Sequence, residues 1–388
     1  MSAHTKSTSS SMPFEQASKD DALGAALQPP KASSLRYHLA LGASQAMFSA
    51  SMTIVRAAYR SSAEVSPIVI VWSRLFISTC LFTGIHLFRG QRRRKEIALS
   101  TIADFSSDHA HVDEFNGLSR ALKIRCIVLG AVCNTVNLLA AAGGLKYSNA
   151  VTAGGIQCAV PPVTCVMAYF VYGEMLPMTK VVALILAVLG NMIMTQIWCM
   201  FTTTSDHCAP QQASTEGSTY YFGCLCAVAS VTVWCTYLVF QRPVVQVLPS
   251  SEFLFRSCIY GLCSMSLIAL CMWTMIWDEI TTPGVMSPNV FVAIGFSGVI
   301  TSGLAYYLVS LGLSGVSPSA AAIYFCSQSV LVCVFSTIFL GEGMSLLQAG
   351  GGLLVVAGML LNASMNSSFL NECSTRTLPP EVDPRRLP

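Results

Sequence analysis

Two stretches of this sequence resemble each other, and their repetition decides the fold. GLKYSNAVTA at 144–153 opens an apolar segment that ends in YGEML at 172–176. GLSGVSPSAA at 312–321 opens another, which ends in LGEGM at 340–344. In both copies the Gly-Leu pair precedes the Gly-Glu pair by 29 positions. The equal spacing indicates that the chain contains two copies of one unit.

A second match lies earlier in each half of the chain. Pro67 is followed seven positions later by Arg74, and Pro249 is followed seven positions later by Arg256. Two patterns that recur in the same order favour a duplication of the whole half over a chance likeness of one segment.

The composition is that of a polytopic membrane protein. Of 388 residues, 53% are hydrophobic and 11% are charged, whereas soluble domains carry about 25% charged residues. A net charge of +3 with no basic stripe excludes a nucleic-acid partner. Most of the 16 cysteines lie in apolar runs, where they are typical of small hydrophobic side chains and not of a disulfide framework. We expect no metal and no cofactor.

Ten apolar segments have the length of a membrane span. A helix that crosses the ~30 Å hydrocarbon core needs roughly 20 residues. The runs are continuous and do not alternate, which indicates helices and not the strands of a β-barrel. The predicted spans are 37–57, 66–88, 124–145, 149–172, 178–199, 220–240, 254–276, 288–311, 318–340 and 345–363.

Each copy of the repeat contains five predicted spans. Because five is odd, the second copy enters the membrane with the opposite polarity. Inverted repeats of this kind are typical of secondary transporters, in which two interchangeable halves surround one site. The predicted fold is therefore an all-α polytopic membrane protein with ten transmembrane helices in two inverted five-helix repeats.

The domain organisation and the topology follow from the spans and the basic residues. Lys and Arg gather in both tails and in 89–122, and 200–219 contains neither. Cytoplasmic loops collect these residues, so we expect both termini in the cytoplasm, in a plasma membrane or an endomembrane that the sequence does not distinguish. The predicted parts are a disordered cytoplasmic tail 1–34, a first repeat 35–199 with the basic cytoplasmic loop 89–122, a non-cytoplasmic loop 200–219, a second repeat 220–363 and a cytoplasmic tail 364–388.

At these paired patterns the sequence resembles the drug/metabolite transporter superfamily, in its EamA-type branch. The resemblance covers about 37–363 and implies ten helices, a central cavity and movement of a small organic metabolite, without naming the solute. Sugar-phosphate and nucleotide-sugar exchangers belong to the same superfamily and are one alternative. A non-transporting membrane protein, such as a lipid-modifying enzyme or a scaffold, is the other. No GxSxG, P-loop or HExxH motif is present, so we expect no enzyme activity.

Arg74 and Arg256 are the first candidates for a solute site. A charged side chain at the bilayer centre costs about 2.5–3.5 kcal/mol, so it faces the bundle interior and finds a partner. The predicted spans contain no Asp or Glu. The partners are then helix carbonyl groups, in a structural role, or an anionic solute, which a guanidinium binds through two parallel bonds. The other substrate-binding candidates are polar groups within spans: Asn137, Gln157, Tyr237, Tyr307, Tyr324 and Gln328.

A further group of residues is expected to bend, end or pack the helices. Two prolines near the middle of 149–172 predict a kink, which is either a hinge or a static bend. The Gly-Glu pairs predict helix ends, with a gate or a proton site as the alternative. The hinge or structural candidates are Pro161, Pro162, Gly173, Glu174, Gly341 and Glu342.

The fifth and tenth spans are almost free of polar residues. In the tenth, Gly350, Leu354 and Gly358 form one seam, which favours close helix packing. We expect these two spans to pack and to include the contact of a homodimer. The predicted partners are thus a small organic solute, membrane lipid and a second copy of the chain.

Overall fold

The computed structural model describes residues 34–62, 64–103, 119–147, 156–157, 159–174, 177–195, 217–282, 285–340 and 345–376. Within these ranges all regular secondary structure is helical. Most of the predicted tail 1–34 and of the predicted loop 200–219 lies outside them, as do Gly341 and Glu342.

Long helices follow one another along the described part of the chain. They are α1 (Ser34–Ser61), α2 (Pro67–Ala103), α3 (Arg120–Tyr147), α4 (Val160–Tyr172), α5 (Met178–Thr195), α6 (Gly217–Val247), α7 (Ser250–Cys271), the short α8 (Trp273–Thr281), α9 (Pro288–Gly315), α10 (Pro318–Tyr324), α11 (Cys326–Leu340) and α12 (Leu346–Arg376). A single residue, Phe325, separates α10 from α11.

Six of these stretches are long and apolar enough to cross a membrane. They are 67–91, 120–147, 221–247, 250–271, 288–315 and 318–339, and shorter apolar helices lie at Val160–Tyr172, Met178–Met194 and Leu346–Asn362. Helix α1 is in neither group because it carries many polar side chains, and several of these are buried. Ser49 and Thr53 each donate to a carbonyl one turn back, at 2.7 Å and 3.1 Å. These bonds satisfy the hydroxyl groups inside the bundle.

Two helices change pitch in their middle. In α3, Leu129–Asn134 forms a π-helical segment, and in α9, Ser297–Ala305 does the same. A π-helical turn contains an extra residue, so it rotates the side chains that follow relative to those before it. Both segments lie in the interior of the bundle.

The helices pack in pairs that recur between the two halves of the chain. Helix α3 packs against α6 and α7, and α9 packs against α1 and α2. Helix α4 packs against α6, and α11 packs against α1. Three further pairs are α2 with α7, α4 with α10, and α5 with α12.

The α5–α12 pair is in backbone contact. A Cβ atom on Gly190 would lie 2.6 Å from the carbonyl oxygen of Gly351, and a Cβ on Gly351 would lie 2.6 Å from that of Gly190. A Cβ on Gly358 would lie 2.7 Å from the Ala183 oxygen. Gly350, which the predicted seam includes, has open space beside it. The contacting face thus contains Gly351 in place of Gly350, because residues seven apart share a helix face.

Several predicted boundaries differ in the structure. Helix α2 continues through Ala103, so the first part of the predicted loop 89–122 is helical. Helix α12 continues to Arg376, into the predicted tail 364–388.

The two prolines of the fourth predicted span do not kink a helix. Helix α4 begins at Val160, so Pro161 and Pro162 lie in its first turn. The missing N–H groups cost nothing at that position, because the first turn has no acceptors for them. The helix is interrupted before the prolines. The hinge role of these prolines stays a prediction.

Candidate functional site

A cavity lies between α1, α2, α3, α6, α9 and the α10–α11 junction. It contains about 810 Å³ of space not filled by protein atoms, including the part open to the surroundings. Its apolar lining is Phe48, Met52, Val55, Ile70, Val71, Leu138, Ala141, Ala142, Leu145, Trp234 and Phe325, and its polar lining is Ser51, Arg74, Asn137, Gln157, Ser230, Thr301, Tyr306 and Gln328.

Arg74 is the one charged residue in this lining, among the residues that the structure describes. Its Nε donates to the Ser302 hydroxyl oxygen at 2.7 Å. The bond crosses from α2 to the π-helical segment of α9 and fixes the guanidinium at the cavity wall. No described lining residue is acidic. The charge is therefore available to an anionic group in the cavity.

A chain of hydrogen bonds covers the neighbouring wall. The Ser230 hydroxyl donates to the Asn137 side-chain oxygen at 2.9 Å, and the Asn137 amide donates to the Tyr306 hydroxyl at 3.5 Å. The Thr301 hydroxyl is buried and makes no hydrogen bond within the described residues. The wall thus joins α3, α6 and α9 and leaves one polar group for a solute or water.

Four aromatic rings form the floor of the cavity. Phe48 meets Trp234 and Tyr306 edge-on, with ring centroids 6.0 Å and 5.7 Å apart. Trp234 also meets Phe325 edge-on at 5.5 Å. Such edge-to-face contacts favour one packing arrangement. We call Phe48, Trp234, Tyr306 and Phe325 the aromatic floor.

Four of the predicted binding residues line the cavity and four do not. Those in the lining are Arg74, Asn137, Gln157 and Gln328. Tyr237 is fully buried behind the aromatic floor, where it stacks on Trp234. Tyr324 bonds through its hydroxyl to His38 Nδ1 at 2.8 Å and is not in the lining. Tyr307 packs at the edge of the hydrophobic core.

Arg256 has a protein carboxylate as its partner, which differs from the prediction. Its Nε donates to Glu252 Oε1 at 3.0 Å, and Glu252 Oε2 lies 2.8 Å from His86 Nδ1. The predicted span began at residue 254, whereas α7 begins at Ser250 and contains Glu252. The arginine thus lies outside the cavity lining, in a cluster that joins α2 to α7.

The first Gly-Glu pair ends a helix, as its structural interpretation predicts. Gly173 has φ +63° and is the left-handed cap of α4. Its N–H donates to the Tyr169 carbonyl at 2.8 Å. One carboxylate oxygen of Glu174 is buried and has no hydrogen bond among the described residues, so its alternative role as a gate or a proton site stays a prediction. The second pair lies outside the described residues.

The sequence patterns missed the aromatic floor. They selected Tyr307 from a group of polar-tipped residues that also contains Tyr306, because the sequence does not show the π-helical segment that precedes both residues in α9. Phe48, Trp234 and Phe325 look like ordinary lipid-facing or core residues in the sequence. The signal that could have found them is their distance from the ends of the spans, since each lies well inside its predicted apolar segment.

The comparisons with known proteins agree with this architecture. The sequence model described as the EamA-like transporter family matches residues 39–196 and 221–364. A WAT1-related protein of Arabidopsis thaliana is 22% identical over 262 residues, which are 64% of this chain and 70% of that protein. A solved crystal structure with 17% identity has a TM-score of 0.60 and covers 86% of this chain and 97% of its own, which shows a shared fold. The chain belongs to the EamA-like transporter family, and it is a multi-pass integral membrane protein.

Proposed function

We propose that this protein is a secondary transporter that moves a small organic anion through the cavity by alternating access. The observation that carries the proposal is Arg74. It is a guanidinium fixed at the wall of a cavity whose remaining described lining is apolar, aromatic or polar without charge, and contains no acidic residue. This combination suits a solute with a carboxylate or phosphate group and an apolar body.

The recurring helix pairs support two inverted repeats of five helices each. The first repeat is α1 to α5, and the second is α6, α7, α9, α10 with α11, and α12. If each helix is replaced by its counterpart in the other repeat, the α3–α6 pair becomes the α9–α1 pair, and the α3–α7 pair becomes the α9–α2 pair. Both π-helical segments lie in exchanged helices. The family model also matches the chain twice. In such repeats, alternating access arises when the halves exchange conformations around a fixed site.

The position of the cavity supports a conformation that is open on one side. Its residues in α1, α2 and α3 lie toward Ser61, Pro67 and Tyr147, which are at one end of the bundle. The opposite half is filled by buried side chains such as Tyr37, Leu41 and Tyr237. With both termini in the cytoplasm, as the basic residues predict, this conformation faces outward.

Transport assays on purified protein in proteoliposomes test the proposal. The probes are labelled benzoate, succinate and glucose 6-phosphate, with glucose and choline as the neutral and cationic controls. We expect at least one anion to be exchanged and the two controls to be excluded. Turnover of a lipid without movement of any solute would favour the membrane-enzyme alternative. Selective exchange of glucose 6-phosphate would favour the sugar-phosphate alternative.

Arg74→Lys separates recognition from folding. Lysine keeps the charge but loses the planar fork, so the apparent affinity for the carried anion should fall about tenfold or more while the protein stays folded. Arg74→Gln should lose most of the transport. The matched control is Arg60→Gln, at an exposed arginine near the end of α1. A loss of thermal stability with unchanged affinity would instead assign Arg74 a structural role.

A further inference from the structure

We infer that Arg256 is a second anion-binding residue. In this conformation it is bonded to Glu252, and it bonds to Asn134 instead when the end of the bundle at which α7 begins opens. This assignment rests on the proposed function, because it requires an anionic solute and two exchanging halves. It gives Glu252 a role as an internal competitor of the solute.

The repeat places Arg256 where Arg74 lies in the other half. Each arginine follows a proline by seven positions, near the start of α2 or α7. Arg74 bonds to Ser302, which lies in the π-helical segment of α9. The separation of the two Gly-Leu pairs also relates Ser302 to Asn134, the last residue of the π-helical segment of α3. Asn134 is therefore the expected acceptor for Arg256.

Asn134 has an acceptor atom without a partner among the described residues. The residue is 4% exposed, and its buried Oδ1 makes no hydrogen bond within the described residues. A buried acceptor without a hydrogen bond is unfavourable, so a conformation that supplies a donor to it is favoured. The side chain packs against α7, since its Nδ2 would lie 3.3 Å from a Cβ on Gly261. The side chain that carries the unpaired acceptor thus lies against the helix that carries Arg256.

Glu252 binds Arg256 through a carboxylate, which is a group that an anionic solute would also offer. The carboxylate accepts from Arg256 at 3.0 Å and contacts His86 at 2.8 Å, and the His86 ring stacks on Phe255 with centroids 4.3 Å apart. These contacts tie α7 to α2 near the start of α7. The position equivalent to Glu252 in α2 is Ile70. The internal carboxylate is therefore present in one half only, and the two faces of the transporter should bind the anion with different affinities.

Alkylation of Cys126 reports whether the bundle opens at the end where α7 begins. The measurement needs no ligand. Cys126 has no exposed surface and lies in the part of α3 that packs against α7. Detergent-purified protein is treated with a hydrophilic maleimide, and modification of this cysteine is measured by peptide mass spectrometry. Glu252→Gln should raise the alkylation rate about fivefold or more, because it releases Arg256. The control Asp278→Asn removes an exposed carboxylate of α8 and should change nothing.

Asn134→Asp tests the second partner. A carboxylate at 134 should attract Arg256 and raise Cys126 alkylation as Glu252→Gln does. Adding Arg256→Gln should abolish that increase. Thermal unfolding, followed by circular dichroism, shows that each variant is folded. An unchanged rate in Glu252→Gln, or an increase in Asn134→Asp that persists without Arg256, overturns the exchange of partners.

Side-specific transport tests the anion-binding role. With whichever of benzoate, succinate and glucose 6-phosphate is carried, Arg256→Lys should raise the half-saturating concentration only on the face where α7 begins. Glu252→Gln should lower it on that face, and Arg74→Lys should raise it on the other. Equal effects on both faces overturn the role. If no anion is carried, both the proposed function and the anion-binding role of Arg256 fail. The alkylation experiments still decide whether Arg256 changes its partner from Glu252 to Asn134.

Discussion

At the scale of single residues, the backbone at Gly173 has a positive φ, which glycine adopts more easily than other residues. Its φ of +63° lets the chain turn away from α4, and the following N–H, that of Glu174, reaches the Ala168 carbonyl at 3.5 Å. The sequence predicts this helix end correctly because Gly-Glu after a long apolar run is a strong stop signal.

Gly173→Ala should destabilise the protein by about 1–2 kcal/mol, since a Cβ is disfavoured in the left-handed region. Thermal unfolding in detergent measures the effect. The control is Gly42→Ala inside α1, where a Cβ would meet nothing within 4 Å and helix propensity should be neutral or improve. If both variants unfold at the same temperature, the cap does not contribute to stability.

The site could be predicted from the sequence only where a residue type itself indicates a role. A buried arginine and buried amides stand out in an apolar span, and Arg74, Asn137 and Gln328 do line the cavity. Glu252 was missed because hydropathy places a span's start at its apolar residues, whereas helix α7 begins earlier. Tyr307 was selected instead of Tyr306 because the sequence does not show which of these neighbours faces the cavity after the change of pitch within α9.

At the scale of elements, the α5–α12 pair is held by backbone contact along one face. Carbonyl oxygens of each helix lie where the other's glycines leave room. Packing without Cβ atoms favours helix association in lipid, where no hydrophobic driving force acts between helices. This face is used within the chain, so the predicted homodimer would need another face of these helices.

Gly351→Ala should separate these helices and lower stability by about 1–3 kcal/mol. The new Cβ would lie 2.6 Å from the Gly190 oxygen and 2.7 Å from the Met194 nitrogen, and backbone atoms cannot turn aside. Gly350→Ala is the neighbouring control, because its Cβ would enter open space. Melting temperatures of the two variants should differ by several degrees. Equal melting temperatures would contradict the contact.

At the scale of the whole molecule, the helical architecture and the family follow from the sequence because long apolar runs and repeated spacings need no tertiary information. The side of the membrane is predicted from charge alone. In intact cells or sealed right-side-out vesicles, an impermeant maleimide should label Cys208, in the predicted non-cytoplasmic loop 200–219, from the side opposite to an epitope tag at either terminus. Labelling of Cys208 only from the side of the termini would reverse the topology.

The aromatic floor also gives the molecule an optical reporter. Trp234 is 8% exposed and stacks on Tyr237 while its edge meets three other rings, so its excited state is sensitive to what enters the cavity. Trp273 and Trp277 are half exposed and lie on or beside the short α8, away from the cavity lining. Of the protein's other two tryptophans, Trp72 is also outside the lining and Trp198 is outside the described residues. The variant Trp234→Phe therefore measures the signal that the other four tryptophans contribute. Occupancy should appear as a change in intrinsic fluorescence that saturates with solute concentration, and Trp234→Phe should remove it. A library of unlabelled compounds can then be screened for the solute by the intrinsic fluorescence of Trp234.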